Sequence, residues 1–264
     1  MRERTQQEHG HNHVRWMRYW IEDFIRRLAK TPRTSGEYAV GETLAPTPGD
    51  AVMRNDLVEL IRYRPTTTEL RPEPILIVPA WIMKYYILDL TAQRSLVAYL
   101  RDQGFEVFIP SWNTPDEDDA DLSMQDYIDL GVGSAVGYIK AMGGGARLHA
   151  AGYCLGGTLL AIATAAMSRD DDHSFASRRL LAAQTEFSEP GELGLFINES
   201  QVAFLGDILA SRMPARMHSE YLRQLFLGNN LANGRLKVDD KAVALSDIRA
   251  DIYCVATEAK HVSP

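Results

Sequence analysis

Apolar and polar positions change period several times along the chain. From Val14 to Ala29 the apolar residues Trp16, Tyr19, Trp20, Phe24 and Leu28 recur every three or four positions between Arg15, Arg18, Arg26 and Arg27, which predicts an amphipathic helix after a polar tail. Its apolar face suits packing on the main domain or docking to a partner or lipid-like surface. Pro and Gly then cut Thr31 to Arg71 into short pieces, of which "VELIRYRP" reads as a strand. Beyond Arg71 the pattern becomes regular: "PILIVPA" a buried strand, "LDLTAQRSLVAYLRDQG" a helix closed by Gly104, and "FEVFIPSW" a strand. "SMQDYIDLGVGSAVGYIKAMG" follows as a helix with Ser123 as N-cap, "RLHAAGY" as a strand, and "LGGTLLAIATAAM" as a helix. Steady alternation of strand and helix predicts a doubly wound α/β domain around a mostly parallel sheet. The chain divides into an N-terminal segment, 1–70, made of tail, helix and adaptor region, and a core, 71–264.

Composition narrows the function classes. With 45% hydrophobic and 24% charged residues, the 264-residue chain can bury an ordinary core. A net charge of -7 leaves no basic surplus to replace counterions on a phosphate backbone, which excludes nucleic-acid binding. No apolar run approaches the roughly 20 residues a membrane span requires, and "MRERTQQEHGHNH" lacks the apolar region of a signal peptide, so a cytoplasmic protein without a transmembrane segment is expected. The two cysteines, Cys154 and Cys254, form no disulfide framework. Cys254, in the apolar run "DIYCVAT", is expected to be a small buried thiol.

Cys154 stands in the frame Gly-x-Cys-x-Gly, between a predicted strand and a predicted helix. That context is the one a nucleophile elbow requires: a tight turn with a strained backbone at the nucleophile, flanked by Gly152 and Gly156, where side chains would collide. The helix N-terminus favours thiolate, and the Leu155 N–H points toward a developing oxyanion. A cysteine in the position of a serine favours acyl exchange between thioesters.

Around this elbow the sequence resembles the poly(3-hydroxyalkanoate) synthases, bacterial enzymes that polymerise hydroxyacyl-CoA into storage polyester. The resemblance runs from about Ala39 to Pro264 through "TPGDAVMRNDLVELIRYRPTT", the stretch from "PILIVPAWIMKYYILDL" to "FEVFIPSWNTPD", "GYCLGGTLLAIA", "EFSEPGELGLFI" and "RMPARMHSEYLRQLF". It lies nearer the single-component and medium-chain branches, class I and II, than the two-component ones. It implies an α/β-hydrolase-like fold, no cofactor and no metal, and a cytoplasmic protein associated with polymer granules. It implies that Cys154 holds the growing chain as a thioester and takes (R)-3-hydroxyacyl units with release of CoA. Leu155 would supply one oxyanion amide, and Ala80 and Trp81, after the "ILIVP" strand, the other. The partners implied are (R)-3-hydroxyacyl-CoA, the growing polyester, a second chain as homodimer or full-length synthase, and the granule surface.

One departure bears on the chemistry. The family places an Asp in a D-H-x-x-P-W string and a further His near its C-terminus, whereas the matching string here is "AKHVSP", with Lys260 at the Asp position and His261 retained. The string ends at Pro264, and the stretch between "GLFINES" and "SRMPARMH" is shorter than in the family. A C-terminally truncated, internally shortened copy is therefore expected, with a shortened cap, without the last strand and C-terminal His, and with His261 as the remaining candidate base. The other histidines read as structural: His149 as a core or edge residue, His218 as satisfying a buried hydrogen bond, His173 as a solvated loop residue, and His9, His11 and His13 as part of a mobile tail. Three functions stay open: a polymerising synthase, an impaired relic that binds granules or a partner, and an α/β hydrolase or thioesterase with another base.

Overall fold

A computed structural model describes residues 39–188 and 214–256. The expected helix over 14–29, the "EPGELGLFI" stretch from 189, and Lys260 and His261 lie outside these residues.

The central sheet has seven strands: β1 (Asp50–Arg54), β2 (Val58–Tyr63), β3 (Ile75–Val78), β6 (Val107–Trp112), β7 (Leu148–Tyr153), β8 (Phe175–Leu181) and β11 (Ile252–Val255). Their spatial order is β1-β2-β6-β3-β7-β8-β11. β2 pairs antiparallel with both β1 and β6, and every pairing from β6 to β11 is parallel. The sheet thus takes two strands from the stretch before Arg71. Apolar runs in the middle strands follow from burial on both faces. Leu76, Val78, Phe108 and Ala150 feed one core cluster, while their sequence neighbours Ile75, Ile77, Val107, Ile109 and Ala151 feed the other.

Two helices cover the first of these faces. α4 (Leu155–Arg169) is buried along most of its length, its Gly, Ala and Thr positions letting it lie close against the sheet. α2 (Met124–Asp126) begins at Ser123, whose hydroxyl accepts from the Asp126 N–H at 3.3 Å while Asp126 Oδ2 accepts the Ser123 N–H at 2.7 Å. It widens into a π-helical stretch (Tyr127–Gly133) before α3 (Ser134–Met142), and in that stretch Gly131 lies against the Trp112 ring, where any side chain would collide. α5 (Ala215–Tyr221) likewise continues into a π-helical stretch (Leu222–Leu227), ahead of the hairpin of β9 (Leu236–Val238) and β10 (Lys241–Val243). Among the described residues no helix is long and apolar enough to cross a membrane.

Two expectations are corrected. The front of "LDLTAQRSLVAYLRDQG" is a hairpin, β4 (Asp89–Thr91) with β5 (Arg94–Ser95), and only Leu96–Asp102 is helical, α1. The cause is tertiary. Asp89 is fully buried, and its carboxylate accepts from Thr47 N–H at 3.3 Å and Thr47 Oγ1 at 2.7 Å, while its carbonyl accepts the Ala45 N–H at 3.0 Å. Cys254 is exposed, because among the described residues β11 is the edge strand and its apolar run covers no core.

Candidate active site

Cys154 follows β7 directly and caps α4, with φ 54° and ψ -125°. An L-residue in that region is strained, and such strain is stored where a side chain must project from a tight turn. The surroundings hold it there. The Cys154 N–H donates to Leu181 O at 2.9 Å at the end of β8, and the Cys154 carbonyl accepts from Gly157 N–H at 2.9 Å and Thr158 N–H at 3.3 Å. Close approach explains the glycines: a methyl group on Gly152 would strike the Gly157 backbone, and one on Gly156 would strike the carbonyl groups of Val78 and Pro79. Gly157 is a third such position, absent from the sequence reading; its Cα faces the Ala183 methyl, and no local pattern announces a neighbour contributed by the segment after β8.

Two loops therefore grip the elbow. On one side the turn after β3 lies on Gly156, with Ala80 and Trp81 buried within it. The Pro79 carbonyl in this turn accepts the Trp112 indole N–H at 3.0 Å. On the other side the Gln184 carbonyl accepts the Thr158 hydroxyl at 2.7 Å, and Phe187 follows. Leu155 opens α4, so its N–H is among those the helix leaves without an intrahelical acceptor. The structure thus gathers Cys154, Leu155, Gly152, Gly156, Ala80 and Trp81 at one end of the sheet.

Aromatic rings line this end. Trp81 meets Tyr127 at 5.9 Å and Tyr221 at 5.5 Å between centroids, and Tyr221 also meets Phe187 at 6.4 Å and Phe226 at 5.6 Å, all edge-on. Tyr221 belongs to the site although nothing in its local sequence marked it. Its phenol is raised above the ordinary value, by burial first and then by electrostatic interaction with Cys154.

The described histidines take different places. His149 accepts or donates at Nδ1 to Ser177 Oγ at 2.8 Å, and its pKa is lowered by burial, then by Arg179. It lies near the start of β7, about 16 Å from the elbow at the rise of an extended strand. His173 is exposed beside Asp171, 3.1 Å away. His218 departs from expectation: it is buried, yet among the described residues neither ring nitrogen has a hydrogen-bond partner. Two cavities, about 620 Å³ around Arg216, Glu220 and Arg235 and about 450 Å³ around Asp129, Lys140 and Asp170, are lined by other residues than Cys154.

A family model described as the N-terminus of poly-beta-hydroxybutyrate polymerase (PhaC) matches residues 1–100. The poly(3-hydroxyalkanoate) polymerase of Methylorubrum extorquens is 31% identical over 314 residues, covering 98% of this chain and 52% of its own length. Over most of its own length this chain is similar to the poly(3-hydroxyalkanoate) polymerases. The polymerase subunit of Rhizobium meliloti is 30% identical over 97% of this chain and 50% of its own, and that of Cupriavidus necator 34% identical over 70% and 31%. The chain spans about half the length of the first two polymerases. The first alignment is longer than the 264 residues here, so that polymerase carries residues within the matched region that this chain lacks. The fold is α/β-hydrolase-like, with the elbow at the strand-to-helix turn after β7. Solved structures with likeness to it include a lipase of Acinetobacter baumannii, 13% identical, TM-score 0.44, over 79% of this chain and 73% of its own. The lipase BlEst2 of Bacillus licheniformis is also 13% identical, TM-score 0.45, over 74% and 90%.

Proposed function

We propose that Cys154 is the nucleophile of a polymerase-type acyl transfer, exchanging its thiol proton for the acyl group of an (R)-3-hydroxyacyl-CoA and releasing CoA–SH. The observation that carries this reading is the strained Cys154 backbone at φ 54°, held between a buried strand and a helix N-terminus. Leu155 N–H and an amide of the Ala80–Trp81 turn serve as the oxyanion donors. His261 remains the candidate base, and the polyester, a second polymerase chain and the granule surface remain the proposed partners.

The test is CoA release from 3-hydroxybutyryl-CoA by the parent and by Cys154→Ala. Release of at least one equivalent, with an acyl group on Cys154 by mass spectrometry and none in the variant, is expected. Sustained release with polymer marks a polymerase, and sustained release of free 3-hydroxybutyrate marks a thioesterase. Release unchanged in Cys154→Ala overturns the assignment.

A further inference from the structure

The turn after β3 is held by Trp112, the last residue of β6. The pairing of β3 with β6 ends at Leu76 with Phe108, and Pro110, two residues on, has no N–H to carry a ladder further. The Pro79 carbonyl lies past that point and accepts the Trp112 indole N–H instead, at 3.0 Å. The ring that donates is itself fixed. It is buried, stacks on Tyr127 at 5.2 Å and 29°, and lies against Gly131 of the π-helical stretch, where a methyl group would come within 2.5 Å of it. The same peptide touches the elbow. A methyl group on Gly156 would come within 2.5 Å of both the Pro79 carbonyl carbon and its oxygen. The Ala80 nitrogen is bonded to that carbon, so the Ala80 amide and the Leu155 amide, one residue before Gly156, stand beside the same glycine.

In a trans peptide the C=O and the following N–H point opposite ways, so a Pro79 carbonyl held on Trp112 turns the Ala80 N–H away from that ring. Ala80 is fully buried, and its carbonyl accepts the Met83 N–H at 2.9 Å, but among the described residues its own N–H meets no acceptor. A buried amide left open calls for an acceptor from outside the fold. We propose that Trp112 is a positioning residue: its indole N–H fixes the Pro79–Ala80 peptide so that the Ala80 N–H donates to the acyl oxygen when Cys154 adds to a thioester carbonyl. This rests on the nucleophile reading of Cys154. In the addition the Cys154 sulfur bonds to the carbonyl carbon, the π pair moves onto oxygen, and the Ala80 and Leu155 amides receive that charge until the pair returns and CoA leaves as thiolate.

An aldehyde makes the same geometry without turnover: the Cys154 S–H adds across the C=O of butyraldehyde, sulfur to carbon and proton to oxygen, giving a hemithioacetal whose oxygen takes the acyl-oxygen place. The experiment measures the butyraldehyde concentration that half-protects Cys154 from iodoacetamide, read on the Cys154 peptide by mass spectrometry because Cys254 is exposed as well. One variant carries benzothienylalanine in place of Trp112, which keeps the shape of the ring and puts sulfur where the N–H was. The other, Val136→Ala, removes buried volume on α3 and no hydrogen bond. With benzothienylalanine the protecting concentration is expected to rise about tenfold, the effect of one hydrogen bond lost from the adduct, with alkylation in the absence of aldehyde unchanged. Val136→Ala is expected to stay near the parent, so that loss of stability alone does not imitate the effect. Equal protection in the parent and the Trp112 variant, an equal rise in Val136→Ala, or no protection of the parent each overturns the proposal. Single-turnover CoA release from 3-hydroxybutyryl-CoA decides the other reading separately. Release by the parent, with protection equal in the Trp112 variant, leaves the nucleophile standing and removes Trp112. No release, with protection weakened in the Trp112 variant, removes the thioester reaction and keeps the positioning.

Discussion

At the scale of single residues, His218 carries the clearest energetic consequence. Burial lowers its pKa below the ordinary value of about 6.5, and among the described residues no hydrogen bond offsets the desolvation. The folded protein thus holds a neutral imidazole where the unfolded chain binds a proton, and stability falls as the pH drops through and below about 6.5. His149, lowered for the same first reason, acts in the same direction, so His218 accounts for part of the slope. In His218→Phe the loss of urea stability between about pH 7.5 and 5.5 is expected to be shallower than in the parent, with the two curves diverging toward acid. Parallel curves would mean that His218 finds a partner in solution. The candidate site was only half readable at this scale. Cys154, Gly152 and Gly156 announce themselves because the elbow is a local strand-turn-helix motif. Tyr221 and Gly157 do not, because the neighbours that matter to them, Trp81, Phe187 and Ala183, come from loops far away in sequence.

Between residue and sheet stand elements whose type depends on distant partners. β3, β6, β7 and α4 match their sequence patterns because an apolar run or a run of small residues is enough to specify them. The β4–β5 hairpin does not, because the helical periodicity of "LDLTAQRSL" is outweighed by one buried carboxylate that Thr47 must satisfy. Local propensity differences amount to a few tenths of a kcal/mol per residue, whereas stranding a buried polar pair costs about 1–3 kcal/mol. Asp89→Ala leaves the Thr47 N–H without its acceptor and the Thr47 hydroxyl with only Ser95 Oγ at 3.3 Å, and removes a side chain that is fully buried. It is expected to lower unfolding free energy by about 2 kcal/mol, measured by chemical denaturation, with Asp89→Asn intermediate because its amide oxygen still accepts. A change below about 0.5 kcal/mol would assign the hairpin to some other cause.

For the whole molecule, the parallel order of the sheet sets which strands are covered and which are not. The alternation of strand and helix foretold the layers, but order along the sheet is a tertiary property, and the misplacement of Cys254 shows the difference. An apolar tetrapeptide reads as core whether its strand lies at the centre or at the edge. Among the described residues β11 is at the edge, paired with β8 on one side, with Ile252 42%, Tyr253 65% and Val255 44% exposed. An exposed apolar edge strand templates further pairing, and charged side chains on such strands suppress it. The chain is therefore expected to associate with rising concentration, and Tyr253→Lys to weaken that association while leaving thermal stability within about 0.5 kcal/mol, as an exposed substitution should. Light scattering across a concentration series checks it. If parent and Tyr253→Lys scatter alike, self-association runs through another surface, and β11 is an edge that the molecule tolerates.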